Sequence, residues 1–436
     1  MKNFKDSGIE WLGEIPQHWE VVKIKFLAIF YTGDSIKDSE KHKYCFLNNS
    51  IPYISTKDID INTNVIDYNN GMFIEKNDAN FKRAYTNSIL LCLEGANAGK
   101  KIAFLDKEVC FVNKLCCISS KTKKLNSKFL FYFLQSVFFK NVFIANIKGL
   151  IGGITTDQLG NFYMLFPPLK EQEQIANFLD EKCKKIANFT EKKEKLITLL
   201  KEQKQALINE TITKGLDKNI NFKDSGIEWL GEIPQHWEVV KIKFLAIFYT
   251  GDSIKDSEKH KYCFLNNSIP YISTKDIDIN TNVIDYNNGM FIEKNDANFK
   301  RAYTNSILLC LEGANAGKKI AFLDKEVCFV NKLCCISSKT KKLNSKFLFY
   351  FLQSVFFKNV FIANIKGLIG GITTDQLGNF YMLFPPLKEQ EQIANFLDEK
   401  CKKIDLLIEK TEKQIKLIKE YKTTLINQAV CGRINN

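Results

Sequence analysis

The sequence predicts an α+β protein with two tandem identical globular domains, each followed by a long helix. Residues 3–186 recur without a change as residues 221–404. In each copy, short β-like runs precede a Pro-Pro pair, and after the pair the apolar residues recur at the spacing of an α-helix. Two identical units on one chain can be related by a twofold axis, so we expect the helices to form an antiparallel coiled coil with pseudo-twofold symmetry. The predicted parts are domains at 1–167 and 218–385, and spacer helices at 168–217 and 386–436.

Composition limits the class of protein. The 436 residues suffice for two domains, and the net charge of +13 favours a polyanionic partner because Lys and Arg neutralise phosphates. An ordinary surface excess of lysine would give the same charge. The 13 cysteines include no CxxC pair, which disfavours a zinc or disulfide framework. Without a signal peptide or a run of ~18 apolar residues, we expect a cytoplasmic protein with no membrane partner.

Short strands and one apolar helix are predicted before each Pro-Pro pair. Asn126 and Ser127 are suited to cap a Phe-rich helix over residues 128–147, which we expect to be buried. The β-like runs of the first copy are 53–55, 89–93, 102–105, 109–119 and 162–166. Together they predict a domain with its own core.

A heptad seam follows each Pro-Pro pair, and Pro168 and Pro386 suit the first helical turn. The alternative is that each helix folds back on its own domain. The copies diverge only after Ile186, and 187–215 keeps 12 of 29 positions of 405–433, as expected of helices that must pair with each other. The residues predicted to pair the helices are Leu179, Ile186, Ile197, Leu200, Leu207, Leu397, Ile404, Ile408, Ile415, Ile418 and Leu425.

Catalytic motifs are missing from the sequence. The pair His18-Trp19 is more typical of packing or of a cap than of catalysis. The loop from Gly95 to Lys100 is one residue shorter than a Walker A loop, and Lys101 follows where Ser or Thr would hold magnesium, so we predict a turn between strands. No Asn/Asp-Pro-Pro-aromatic motif for a flipped adenine occurs. We therefore expect no catalytic residue, metal or cofactor in this chain.

Basic residues of the globular part cluster at turns, as in proteins whose lysines rest on DNA phosphates while Asn, Thr and Arg reach base edges. Each position alone is more typical of a solvated surface, and the duplicated set is the stronger signal. The glycines and hydroxyls of residues 149–156 suit a close approach to a sugar-phosphate chain. The predicted DNA-binding residues are Lys57, Lys82, Arg83, Lys100, Lys101, Asn113, Lys114, Lys148, Thr155 and Thr156, with their copies Lys275, Lys300, Arg301, Lys318, Lys319, Asn331, Lys332, Lys366, Thr373 and Thr374.

Several motifs resemble the specificity (S) subunit of type I restriction-modification systems. They are DSGIEWLGEIPQHWE at 6–20, PYISTKDI at 52–59, the turn at 95–100, FPPLKEQEQIA at 166–176 and ALINETITKGLD at 206–217. The resemblance covers essentially the whole chain. It implies a non-catalytic subunit that reads a bipartite site in double-stranded DNA and carries two modification (methyltransferase) subunits, with restriction subunits as further partners. S-adenosylmethionine, ATP and magnesium would then belong to those partners.

The two recognition domains are identical here, whereas members of that family typically carry two different ones. Identical readers on a twofold scaffold meet the same half-sequence on opposite strands, so the expected target is an interrupted palindrome. Two alternatives remain. A stand-alone pseudo-dimeric DNA-binding protein, such as a repressor, explains the charge and the repeat but not the long helices. A coiled-coil assembly protein would show no salt-dependent DNA binding.

Overall fold

The chain folds into two compact units. The structure is a computed structural model that describes residues 3–9, 13–45, 50–149, 152–227, 230–263, 268–367 and 370–434. Unit 1 consists of Met1–Glu194 and Lys413–Asn436, and unit 2 of Lys195–Glu412. Each unit therefore combines one globular domain, the first part of the helix that follows it and the last part of the other long helix.

The first copy contains short strands, three short helices and one long helix. Its strands are β1 (Phe4–Asp6), β2 (Glu14–Pro16), β3 (Glu20–Lys23), β4 (Ala28–Thr32), β5 (Ser50–Ile54), β6 (Phe73–Glu75), β7 (Arg83–Ala84), β8 (Ile89–Cys92), β9 (Ile102–Phe104), β10 (Val109–Phe111), β11 (Leu115–Ser120) and β12 (Tyr163–Phe166). Its α-helices are α1 (Ser127–Phe133), α2 (Val137–Ala145), α3 (Thr156–Gly160) and α4 (Leu169–Lys214). Short 3-10 helices lie at Ile24–Phe26, Asp38–Tyr44 and Thr56–Asp58.

The second copy repeats these elements. Its strands are β13 (Phe222–Asp224), β14 (Glu232–Pro234), β15 (Glu238–Lys241), β16 (Ala246–Thr250), β17 (Ser268–Ile272), β18 (Phe291–Glu293), β19 (Arg301–Ala302), β20 (Ile307–Cys310), β21 (Ile320–Phe322), β22 (Val327–Phe329), β23 (Leu333–Ser338) and β24 (Tyr381–Phe384). Its α-helices are α5 (Ser345–Phe351), α6 (Val355–Ala363), α7 (Thr374–Gly378) and α8 (Leu387–Val430), and its 3-10 helices are Ile242–Phe244, Asp256–Tyr262 and Thr274–Asp276.

Two four-stranded sheets form the middle of each globular domain. In unit 1 their strand orders are β6-β5-β10-β7 and β4-β11-β8-β9. β10 runs parallel to β5, and the other pairings of these sheets are antiparallel. Ile89 and Leu91 of β8 pack with the Phe-rich helices, whereas Leu90 and Cys92 pack toward the other sheet. Both faces of β8 are buried, and this explains its unbroken apolar sequence.

The Phe-rich segment forms two helices, so the prediction of one helix over 128–147 was wrong. α1 and α2 are bent by 64° at the break between them. Asn126 caps α1 by accepting from Phe129 N (2.9 Å), and Ser136 caps α2 by accepting from Phe139 N (3.1 Å). A second N-cap inside an apolar run starts a new helix. Among the described residues no single helix is long and apolar enough to cross a membrane, and only the bent pairs α1–α2 and α5–α6 pass by length and composition.

The run 109–119 also proved to be two strands rather than one. β10 belongs to one sheet and β11 to the other, so the chain must turn between them. Leu115 N donates to Val112 O (3.0 Å) and closes this turn. As a result Asn113 and Lys114 lie exposed at its tip.

The long helices contact each other in both units, as predicted. In unit 1, Leu179 and Ile186 of α4 share a core with Leu425 and Ala429 of α8. The first part of one helix thus meets the last part of the other, the order of an antiparallel pair. Ile208 and Ile212 of α4 and Leu397 of α8 share the core of unit 2. Of the residues predicted to pair the helices, Leu179, Ile186, Leu200, Leu397, Ile404, Ile415 and Leu425 are buried, and Ile197, Leu207, Ile408 and Ile418 are half-buried.

The alternative, in which each long helix folds back on its own domain, holds only for the first part of the helix. Leu179 packs with Ile24 and Phe129 of the domain that precedes α4. The last part of α4 instead joins unit 2, where Ile208 and Ile212 are buried. Each globular domain is therefore completed by the end of the helix that belongs to the other copy.

A buried glutamine fastens each long helix to its domain. Gln172 has no exposed surface, and its Oε1 accepts from Asn126 N (2.8 Å). Its Nε2 donates to Pro167 O (2.8 Å) and Lys124 O (3.1 Å). One side chain thus satisfies three backbone groups around the Pro-Pro pair. Gln390 makes the same bonds in unit 2.

We expect Gln172→Leu with Gln390→Leu to lower the free energy of unfolding by about 3 kcal/mol per unit, because three backbone groups lose a partner at roughly 1 kcal/mol or more each. Urea denaturation followed by circular dichroism measures the change. Gln174→Leu with Gln392→Leu is the matched control, since both glutamines are exposed in the same helical turns. Equal losses in the two variants would contradict this role.

Candidate nucleic-acid interface

The loop between β8 and β9 is a tight turn, as predicted from the sequence. β8 and β9 pair antiparallel, with Leu91 opposite Ile102. Gly95 (φ +82°) and Gly99 (φ +69°) adopt the left-handed backbone conformation that favours glycine. Gly99 N donates to Cys92 O (2.8 Å). The turn leaves Lys100 exposed.

Two further loops meet this turn. Leu93 N donates to Lys114 O (2.9 Å), which brings the β10–β11 turn beside it. Gly95 N donates to Gly152 O (2.8 Å), which brings in the glycine-rich loop after Lys148. A Cβ on Gly153 would lie 2.7 Å from Leu93 O, so only glycine permits this approach. Residues 150 and 151 of that loop lie outside the described residues.

A fourth loop, after β4, positions Lys82. Asp34 N donates to Phe111 O (2.9 Å), and Asp34 Oδ2 accepts from Lys82 N (2.7 Å). The ammonium of Lys82 donates to Thr32 O (3.0 Å). An alanine Cβ at Gly33 would lie 1.8 Å from Phe111 O. This glycine therefore allows the loop to lie against the end of β10.

Backbone hydrogen bonds, and the carboxylate of Asp34 that accepts from Lys82 N, thus join five loops into one surface, which we call the basic edge. All of its members are exposed. In unit 1 the basic edge consists of Lys82, Lys100, Asn113, Lys114 and Lys148. In unit 2 it consists of Lys300, Lys318, Asn331, Lys332 and Lys366. Lysines and an asparagine on turns are suited to phosphate contacts and to hydrogen bonds with base edges.

Lys57 and Lys101 adjoin the basic edge but face carboxylates. The ammonium of Lys101 donates to Thr56 O (2.6 Å). Both lysines line an open cavity of about 400 Å³ together with Asp58, Asp60 and Asp67. Hydrogen bonds from Thr63 hold the pKa of Asp60 below its usual value, so this carboxyl group stays ionised. The cavity is therefore a poorer phosphate site than the basic edge. Lys275 and Lys319 are their copies, and Lys319 donates to Thr274 O (2.7 Å).

Of the three other predicted residues, two have structural partners and the third is half-buried. The Arg83 guanidinium pairs with Glu108 (3.3 Å) and donates to Lys76 O. Thr155 caps α3 by accepting from Gln158 N (3.2 Å), so its hydroxyl has a helix partner. Thr156 is half-buried in the first turn of α3. Their copies Arg301, Thr373 and Thr374 have the same surroundings.

Sequence reasoning missed the residues that hold the basic edge in place. They are Gly33, Asp34 and Tyr53, whose hydroxyl donates to Asp34 O (2.7 Å). The Gly-Asp pair directly after a β-like run is a turn signal that would have found the first two. Tyr53 has no comparable signal, because its partner lies in another loop.

The residues considered for catalysis have structural roles. Trp19 is buried and donates from Nε1 to Glu171 Oε2 (3.0 Å), while His18 Nε2 lies 2.6 Å from Glu171 Oε1. Trp19 therefore packs in the core, whereas His18 is exposed beside Glu171. All cysteines are free thiols, and burial raises the pKa of Cys110 to about 12. No group of His, Cys, Asp or Glu suited to a metal ion occurs in the described part of the chain.

Two repeated α+β domains with a basic edge, joined by paired long helices, define a protein of the DNA-specificity class. The sequence family described as "Type I restriction modification DNA specificity domain" matches residues 16–199 and 234–417. The chain therefore belongs to this family of type I restriction-modification specificity subunits, which recognise DNA and are not catalytic.

Known relatives match along nearly the whole chain. The type I restriction enzyme MjaVIII specificity subunit of Methanocaldococcus jannaschii is 29% identical over 99% of this chain and 96% of its own length. A chain solved in a study of complex assembly and conformational transition of the type I R-M system has a TM-score of 0.74 at 17% identity, covering 96% of this chain and 99% of that one. The HsdS subunit from Thermoanaerobacter tengcongensis has a TM-score of 0.52 at 17% identity, covering 96% and 98%. These two structures support the fold.

Proposed function

We propose that this chain reads an interrupted palindrome in double-stranded DNA and carries two methyltransferase subunits of a type I complex. One observation carries the proposal. The two globular domains have the same sequence, and their basic edges have the same residues and hydrogen bonds. Two identical readers have the same base preference, so a bipartite site must contain the same half-sequence twice.

An inverted orientation of the two half-sites is part of the same proposal. Each unit joins the first part of one long helix to the last part of the other. Two identical domains on one chain can be related by a twofold axis. Duplex DNA also has twofold axes, so two readers related in this way meet opposite strands and require an inverted repeat. The spacer helices would set the distance between the half-sites.

The long helices also present apolar side chains beside the buried seam. In unit 2, Leu196 and Leu199 of α4 directly precede the seam residues Ile197 and Leu200. They are 39% and 61% exposed. Neighbouring exposed leucines are typical of a surface that binds another protein. Leu407 holds the equivalent place on α8 and is 51% exposed. Equivalent positions of an antiparallel pair lie on one side of it, so these residues suit helices of a methyltransferase subunit.

Unit 1 presents a second surface of the same kind. Leu417 and Tyr421 of α8 directly precede the seam positions Ile418 and Lys422 and are 54% and 53% exposed. Phe189 of α4 is 39% exposed. One such surface per unit supports a complex with two methyltransferase subunits. Restriction subunits would join that complex, and S-adenosylmethionine, ATP and magnesium would bind to the partners.

Single-molecule methylome sequencing of cells that hold the complete system tests the proposal. We expect one methylated motif, with identical half-sequences in inverted orientation and one adenine modified on each strand. Cells that lack only this chain are the control and should lose the motif. A methylated motif with two different half-sequences would refute the palindromic target. Failure of the chain to co-purify with a methyltransferase subunit would favour the stand-alone repressor.

A further inference from the structure

Unit 2 contains two lysines whose ammonium groups each have an acceptor on a neighbouring helix. Lys204 of α4 donates to both carboxylate oxygens of Asp405 of α8, each at 2.8 Å. Lys358 of α6 donates to Gln205 Oε1 of α4 (3.0 Å). The Lys204 side chain is only 16% exposed, so its charge needs the nearby carboxylate. Both lysines of unit 2 are therefore satisfied within the chain.

Unit 1 keeps the two lysines but lacks both acceptors. Lys422 of α8 corresponds to Lys204, and Lys140 of α2 corresponds to Lys358. Ala187 stands where unit 2 has Asp405, and Thr423 stands where it has Gln205. Among the residues that the structure describes, neither ammonium group has a hydrogen-bond or ion-pair partner. The domain that carries Lys140 is otherwise identical in sequence to its copy, so the two units provide a direct comparison.

The electrostatics of unit 1 agree with two uncompensated charges. Burial and, second, the charge of Lys422 lower the pKa of Lys140. Burial alone lowers the pKa of its copy Lys358. Asp180 of α4 does not relieve the lysines, because it already accepts from Lys128 (2.9 Å) and Tyr132 (2.7 Å). An anion between Lys140 and Lys422 would stabilise both ammonium groups.

The side chains that replace the two acceptors in unit 1 are smaller. Ala187 carries a methyl group in place of the carboxymethyl group of Asp405, and it is exposed, so solvent ions reach it. Thr423 is shorter than Gln205, and its hydroxyl donates to Lys419 O of its own helix (3.2 Å). The two replacements remove the side-chain oxygen atoms that accept from these lysines in unit 2.

We propose that Lys140 and Lys422 of unit 1 form a binding site for a small oxyanion, in the position that unit 2 fills with Asp405 and Gln205. The ligand class is that of the missing groups, a carboxylate or a phosphate. The site is independent of DNA recognition, because it lies on α2 and the last part of α8 and involves no residue of the basic edge. A bound anion would stabilise the packing of residues 413–430 against the rest of unit 1. The stability of this packing would then depend on the anion concentration.

Hydrogen–deuterium exchange of the full chain, with sodium phosphate or sodium chloride at equal ionic strength, tests the site. We expect phosphate to slow exchange of peptides from residues 413–430 about twofold when its concentration equals its dissociation constant. Peptides from residues 195–214 of unit 2 should show no such change. No difference between the two salts at residues 413–430 would overturn the proposal.

Exchanging the acceptors between the units provides the decisive controls. Ala187→Asp with Thr423→Gln gives unit 1 the acceptors of unit 2 and should abolish the phosphate effect on residues 413–430. Asp405→Ala with Gln205→Thr should create the effect on residues 195–214. Any phosphate bound at the basic edges would be the same in all variants and would cancel in the comparison. An unchanged phosphate effect in Ala187→Asp with Thr423→Gln would show that the two lysines are not the site.

A third salt distinguishes the two sources of the oxyanion. Sodium acetate at the same ionic strength presents the carboxylate that Asp405 supplies in unit 2. Protection by acetate equal to that by phosphate would assign the site to carboxylates, such as an acidic side chain. Protection by phosphate but not by acetate would assign the site to free phosphate. Both results uphold an oxyanion site, whereas equal exchange in all three salts removes it.

Discussion

Replacing Gly33 and Gly251 with alanine is expected to lower the free energy of unfolding by about 3 kcal/mol or more per unit, the upper range for overpacking. The added Cβ would lie 1.8 Å from the carbonyl oxygen of Phe111 or Phe329. This oxygen cannot move aside cheaply, because it accepts from the backbone N–H of Asp34 or Asp252 (2.9 Å). The loop and the end of the strand must separate, so specific DNA binding should be lost as well. Urea denaturation and filter binding measure the two effects.

Gly160→Ala with Gly378→Ala is the matched control for this prediction. These glycines lie in α3 and α7, where the atom nearest to an added Cβ is the Cβ of Lys25 or Lys243, at 3.2 Å, and no backbone oxygen is in the way. A small local shift accommodates that contact. Gly33→Ala alone should accelerate hydrogen exchange in β10 while β22 keeps its rate. If the Gly33→Ala variant is as stable as the wild type, the prediction is wrong, and the loop after β4 tolerates a side chain beside Phe111 O.

Replacing Lys114 and Lys332 with alanine is expected to weaken DNA binding about 30-fold at ~0.15 M salt, if each lysine neutralises one phosphate. The plot of log affinity against log salt should become shallower by about two units for the same reason. Both lysines lie exposed at the tip of the turn in the middle of the basic edge. Fluorescence anisotropy with a labelled duplex, repeated over a range of salt concentrations, gives both quantities.

Lys107→Ala with Lys325→Ala is the matched control, because it removes the same charge away from the basic edge. These lysines follow the last residues of β9 and β21, whereas the basic edge lies at the first residues of these strands. Each of these ammonium groups lies over a tyrosine ring, 4.4 Å from the centroid of Tyr68 and 4.2 Å from that of Tyr286. DNA affinity and salt slope should stay near the wild-type values in this control. If both pairs of variants weaken binding equally, the lysines act only through net charge, and the basic edge is not the contact surface.

The sequence predicted those parts of the fold that depend on local pattern. The exact repeat, the Pro-Pro pairs and the seam with Leu179 and Leu397 predicted two α+β domains with contacting long helices. Strand and helix boundaries inside the Phe-rich and Cys-rich runs were less predictable. Those runs are buried on several sides, so hydrophobic periodicity disappears and only the cap at Ser136 and the turn at Asn113 mark the breaks.

The candidate site was predictable as a set of residue types but not as a surface. The basic turns indicated which residues are available, and five of the ten positions in each copy lie on the basic edge. Arg83 and Thr155 have the residue types of DNA contacts, yet Glu108 and Gln158 engage them. Such partners come from other elements or from cap geometry, which a count of charges does not contain.

The sequence by itself determined that this protein reads DNA with two equal domains on paired helices, because identical sequences in identical surroundings fold alike. Only the tertiary structure decided which loops form the basic edge and which part of each helix completes which unit. It also showed that Lys422 lacks the carboxylate that Lys204 has. The physical reason is that these features depend on contacts between residues far apart in the chain, whose hydrogen bonds and burial exist only once the units are closed.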